Sequence, residues 1–96
     1  MFIINISYIT NLKLIDQHLE AHRLWLDKYY ASGHFIISGA KNPRTGGIII
    51  AKGNSLEQIQ QIIAEDPFKI HQLAEYEIIE VNVSKKANYL ENLLLN

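Results

Sequence analysis

Two side chains stand out for proton chemistry near neutral pH, His22 and Asp66. His22 falls within the series Ile15, Leu19, Leu26 and Tyr29. At about 100° per residue all five positions lie within about 40° of one line on a helix surface, with Asp16, Glu20, Arg23 and Asp27 away from it. An imidazole turned inward needs a hydrogen-bonding partner or it costs stability. Asp66 is the candidate partner: Pro67 disfavours the α conformation for the residue before it, so a helix ends here and the carboxylate is held in an extended or turn conformation. A neutral imidazole can take or give a proton at cellular pH, and a carboxylate on its other nitrogen fixes the tautomer and stabilises the charged form. The pair therefore has the makings of a general acid/base dyad. The alternative is structural, with His22 a core histidine satisfied by a backbone carbonyl and Asp66 the N-cap of a turn begun by Pro67. Asp66 could also cap and orient at once.

Other chemistries find less support. Ser7, Ser32, Ser38, Ser55 and Ser84 lack a G-x-S-x-G context, so no covalent nucleophile is expected. Arg44 lies beside Gly46-Gly47, where a guanidinium and exposed backbone amides could hold a carboxylate or phosphate; the alternative is a solvated hairpin tip. His18 and His22 have an i, i+4 spacing that could chelate a metal, but nothing nearby in sequence completes a site, and neither metal nor cofactor is expected. His34 and His71 stand at element boundaries, and Trp25, Tyr29 and Tyr30 read as core or interface residues.

The 96 residues are 48% hydrophobic with a formal net charge of −1. That fits one domain, 1–96, and offers no field to gather phosphate backbones, so nucleic acid is not an expected partner. There is no cysteine, which excludes disulfides, thiolate nucleophiles and cysteine-ligated zinc. The apolar run at 2–6 has no basic residue before it and is too short for a signal sequence or membrane span; the expectation is a cytoplasmic protein.

Strands are predicted at 2–8, 34–40, 47–52 and 75–83, with helices at 12–32 and from a Ser55-Leu56-Glu57-Gln58 capping box to Asp66-Pro67. The loop 41–46 makes the two middle strands an antiparallel pair. The order βαββαβ implies an α+β, ferredoxin-like sandwich: two helices on one face of a four-stranded antiparallel sheet. Yet Phe35-Ile36-Ile37, Ile48-Ile49-Ile50 and Ile78-Ile79 are apolar in consecutive positions, whereas a sheet with one wet face should alternate. A second copy of the chain is the simplest cover for the other face, giving a homodimer. The tail 84–96 carries Tyr89, Leu90, Leu93 and Leu94 at helical spacing and could lie over a sheet edge or clasp that partner.

A further set of residues carries a resemblance. His22-Arg23 with Leu26, Gly33-His34-Phe35 followed by Ser38-Gly39, the loop Pro43-Arg44-Thr45-Gly46-Gly47, Asp66-Pro67-Phe68, and Ala74-Glu75-Tyr76-Glu77-Ile78 occur in this order. The chain thereby resembles the YCII-related proteins of the dimeric α+β barrel superfamily. In that family a proline commonly follows the glycine that stands here as Gly39, where this chain has Ala40. The resemblance implies a homodimer with a small-molecule pocket near a His and Asp pair, carried over as His22 and Asp66. Ser38, Arg44, Gly46 and Gly47 are then the expected ligand contacts. Some family members are associated with dehydrochlorination of aromatic ring-cleavage intermediates. The expectation is thus a small enzyme using proton transfer, elimination or isomerisation on an organic-acid or phenolic metabolite, the alternative a ligand-binding or sensing dimer without turnover.

Overall fold

The computed structural model describes residues 1–90 and runs β1 (Phe2–Tyr8), α1 (Leu12–Gln17), α2 (Leu19–Ala31), β2 (Phe35–Ala40), β3 (Gly46–Ala51), α3 (Leu56–Ile63), α4 (Pro67–Ile70) and β4 (Ala74–Glu80). The strands form one antiparallel sheet in the order β2-β3-β1-β4, the ferredoxin-like arrangement expected from βαββαβ. Alternation along β1 sends Phe2, Ile4 and Ile6 into the core, where they meet Ile49 and Ala51 of β3, Trp25 and Tyr29 of α2, and Ile59, Ile62 and Ile63 of α3. Trp25 joins the two long helices through more than area, since its indole N–H donates to the Ile62 carbonyl at 2.9 Å.

The other sheet face carries a row set by register: Ile37 opposite Ile50, Ile50 opposite Ile3, Ile3 opposite Ile79. Ile37 and Ile79 are exposed and Ile3 and Ile50 half-buried, so the sheet's second face is apolar with no described helix over it.

The single helix expected over 12–32 is two helices that meet at His18. The His18 backbone, at φ −110° and ψ 5°, leaves the helical region, and its N–H bonds to the Ile15 carbonyl at 3.0 Å, a tightened final turn. A straight helix would set Ile15 and Trp25 about 80° apart on its surface. The break lets both be buried, Ile15 fully. The expected capping box is also modified: Ser55 Oγ accepts from the Gln58 N–H, but Gln58 Oε1 reaches back to the N–H of Asn54, one residue before the cap. The last strand stops at Glu80, and after it residues 88–90 form one tight turn with Tyr89 exposed. Leu93 and Leu94, on which the expected tail helix rested, lie outside the described residues.

Two glycines of the β2–β3 hairpin differ in what they tolerate. A Cβ added at Gly46 would collide with the Ile6 carbonyl, whereas one at Gly39 would find nothing within 4 Å. Gly46→Ala is therefore expected to destabilise the fold by about 1–3 kcal/mol in urea melts. Gly39→Ala should stay within about 0.5 kcal/mol of the parent. Equal stability of the two variants would overturn the close β1–β3 approach.

Candidate active site

Helix α3 ends because Pro67 follows: Ala64 caps it, and Asp66 takes an extended conformation at φ −67° and ψ 125°. From there Asp66 starts α4, with Pro67 at its first position and the Phe68 N–H donating to Asp66 Oδ1 at 3.1 Å. The same oxygen lies 2.8 Å from His22 Nδ1, although 44 residues separate the two in sequence. The second oxygen, Oδ2, accepts from the Tyr76 hydroxyl at 2.5 Å. Asp66 is 0% exposed and the only fully buried charged side chain among the described residues. Both structural alternatives for Asp66 thus coincide: it caps α4 and it holds His22.

The hydrogen-bond pattern sets the state of the ring. The Phe68 N–H and the Tyr76 hydroxyl both donate to Asp66, which is thus arranged as an acceptor, and toward an ionised carboxylate His22 donates from Nδ1. In a neutral imidazole Nε2 is then the bare nitrogen, the one that can accept a proton. Phe68 fixes the ring plane by stacking on it, centroids 4.1 Å apart and planes 6° from parallel, and Trp25 stands 5.4 Å away on its own turn of α2.

His22 lines a pocket of about 370 Å³ between α2 and the β2–β3 hairpin. Ser38, Arg44, Gly46 and Gly47 line the same pocket, while Asp66 stands behind His22, out of contact with solvent. The pocket exists because side chains are small where the hairpin meets α2: Ser38, Ala40 and Gly47 leave the space that a branched side chain would fill. Gly46 and Gly47 belong to β3 rather than to the connecting loop, opposite Ser7 and Ile6 of β1. The loop amides expected to hold an anion are therefore built into a strand. Ser38 Oγ is 2.6 Å from the Tyr30 hydroxyl.

Arg44 is not a free guanidinium, since its Nη2 donates to Asp16 Oδ1 at 2.5 Å. That hydrogen bond holds the Asp16 carboxyl below its ordinary value and raises Arg44. Arg23, which the helical pattern turned away from the apolar stripe, lines the pocket as well, with no ion pair among the described residues. The His18 ring lies against that of His71, centroids 4.2 Å apart and planes tilted by 32°.

The model of the YCII-related domain matches residues 1–82. The chain belongs to the YCII-related family. Among solved structures it is similar to the 5-chloro-2-hydroxyhydroquinone dehydrochlorinase (TftG) from Burkholderia phenoliruptrix, solved in complex with 2,5-dihydroxybenzoquinone. The match has a TM-score of 0.75 at 17% identity and covers 86% of this chain and 94% of that one, so it speaks for a shared fold. No curated protein matches the sequence. Among the described residues no helix is long and apolar enough to cross a membrane.

Sequence reasoning singled out neither Tyr76, Phe68 nor Arg23 as site residues. The signal for Tyr76 was strand parity, since Glu75 and Glu77 alternate with Ala74, Tyr76 and Ile78. Burial pushes the Tyr76 phenol far above the ordinary tyrosine value of 10.0, and the Asp66 charge with its hydrogen bond pushes it further. Above a pH of about 10 the unfolded chain releases this proton while the folded chain keeps it, so unfolding is favoured as pH rises. Tyr76→Phe should cost about 1.5–3 kcal/mol at neutral pH, the worth of a hydrogen bond to a charged group. That deficit should narrow in urea melts above pH ~10. A constant deficit across this range would show that the phenol is not held protonated by its site.

Proposed function

We propose that this chain is a small acid/base enzyme in which His22 Nε2 exchanges a proton with a bound metabolite while Asp66 holds the ring. The observation that carries the reading is the 2.8 Å bond from His22 Nδ1 to a buried carboxylate, made by a histidine whose ring also borders a pocket. A fully buried acceptor on one nitrogen leaves the other as the reactive one. The pocket's volume, about 370 Å³, lies at the small end of the range for ligand sites and suits a single substituted ring or a short organic acid. Arg23 and Arg44 border it, favouring an anionic substrate, and Ser38 adds a hydroxyl. For Arg44 to bind an anion, the ligand must compete with Asp16 for the guanidinium. Proton abstraction followed by return at another atom is isomerisation; abstraction followed by loss of a leaving group is elimination. The dehydrochlorinase with the similar fold makes the second worth testing first.

The reading includes a homodimer. The row Ile37, Ile50, Ile3 and Ile79 across the open sheet face is the surface we assign to a second copy. Sedimentation should show a dimer at micromolar concentration, and Ile50→Glu should shift it to monomer. A stable wild-type monomer would remove this part of the proposal.

A ligand-binding dimer without turnover is the second reading, favoured by one observation: capping α4 already gives Asp66 a structural task. A panel of hydroxylated aromatics and small organic acids separates the two. Binding should raise the melting temperature, by an amount worth about 2.7 kcal/mol for a ligand at a hundred times its Kd. If the enzyme reading holds, one of these ligands is consumed, and His22→Ala loses about 10²–10⁴-fold in kcat with binding largely kept. Stabilisation by ligands with no consumption of any would favour the sensing role, and undiminished turnover in His22→Ala would discard the dyad.

A further inference from the structure

We infer that Tyr76 is a positioning residue for the His22–Asp66 pair, its hydroxyl fixing the carboxylate and setting how much negative charge the imidazole meets. This rests on the reading of the pair as the functional centre, and it adds a third member from a different layer of the fold.

The argument begins with Asp66 at 0% exposure, where water cannot solvate either oxygen. Oδ1 has two donors, the Phe68 N–H and His22 Nδ1–H. Oδ2 has the Tyr76 hydroxyl at 2.5 Å. A carboxylate anchored at one oxygen can turn about its Cβ–Cγ bond, and a bond to each oxygen stops that rotation. The donor is well placed to do so. Tyr76 lies on β4, the edge strand of the sheet, in register opposite Ile6 of its neighbour β1. Asp66 is thus gripped from the helical layer through its own cap and from the sheet through Tyr76.

Position has an electrostatic consequence. Two hydrogen-bond donors, the phenol and the imidazole, draw on one negative charge. The phenol bond is strongest when the imidazole is neutral and weaker when an imidazolium has already claimed that charge. By reciprocity, the phenol favours the neutral ring. Stripping the hydroxyl returns the whole charge to His22, favouring the imidazolium and making a poorer proton donor in the return step. Other charged or titratable side chains about the triad are Tyr8 from β1, Arg23 from α2, Arg44 from the β2–β3 connection and Lys69 from α4, whose amine is 5.7 Å from the Tyr76 ring centre. None is altered by the substitutions below, so their contributions cancel in the differences.

The test follows the His22 ring nitrogens by NMR across pH in the full chain and needs no substrate. In Tyr76→Phe the midpoint should move up by roughly half a unit or more, whereas in Asp66→Asn, which removes the charge, it should move down. These midpoints belong to the coupled pair rather than to one residue. Site-specific 3-fluorotyrosine at position 76, a stronger donor in nearly the same shape, should move the midpoint down. Should Tyr76→Phe fail to fold, the fluorinated protein decides alone. A midpoint unchanged by both overturns the inference and leaves Tyr76 as a packing residue. A shift without turnover of any compound would keep Tyr76 as the charge-setting partner and dismiss the catalytic reading. Turnover without a shift would do the opposite.

Discussion

A carboxylate with no exposure to water is the constraint from which the rest of the site follows. Removing an ionised carboxylate from water costs several kcal/mol unless hydrogen bonds and charge replace the lost hydration. For Asp66 the replacements come from three elements: the first turn of α4, the ring of His22 on α2, and the hydroxyl of Tyr76 on β4. The first is local and follows from Asp-Pro at a helix start. The other two hold only when α2 and β4 are each seated against α4, so the carboxylate ties the helical layer to the sheet edge. That explains how one residue serves capping and orientation without conflict: the cap uses one direction at Oδ1, and the remaining acceptor positions face the interior.

The fold and the site were legible to different depths. Strand positions, the α3 stripe and the end of that helix at Asp66-Pro67 could be read because each is encoded locally, by alternation, 3.6-residue spacing and the proline. The break at His18 could not, because no glycine or proline marks it and the apolar spacing runs through it. Its cause is tertiary, the burial of both Ile15 and Trp25. At the site, the inward face of His22 was readable from the helix phase. Tyr76 was half-readable: parity points it inward, but nothing in the sequence states that a carboxylate ten residues earlier will be within reach. Arg44 was legible only as a cation beside two glycines; that Asp16, 28 residues away in sequence, pairs with it was not.

Core and pocket also compete for the same side of the sheet. Towards one end of β3 that side carries Ile49 and Ala51, packed and almost without exposure, and towards the other it carries Gly47 beside an open pocket. Filling the pocket end with branched residues would gain apolar burial, about 25 cal/mol for each Å². The chain forgoes that gain by placing glycine, alanine and serine there, and the aromatic cluster of Trp25, Tyr29 and Phe35 at the opposite end carries more of the packing.

The switch between the two ends depends on one irregularity in β2. Phe35 lies opposite Ala51 and Ile37 opposite Ile50, so one residue is added between them and the register shifts. In an uninterrupted strand Phe35 and Ile37 would share a face, and Ser38 would point away from α2. With the bulge, Phe35 stays in the core at 3% exposure while Ile37, at 61%, turns to the open face. Ser38 takes the place behind it, opposite Ile49, and lines the pocket. One extra residue therefore does two things at once: it puts a hydroxyl rather than an isoleucine on the wall of the pocket that His22 also lines, and it completes the apolar row Ile37, Ile50, Ile3 and Ile79 on the reverse side. The polarity of the pocket and the apolarity of the opposite sheet face are thus consequences of the same register shift, and neither could be altered by moving that bulge without altering the other.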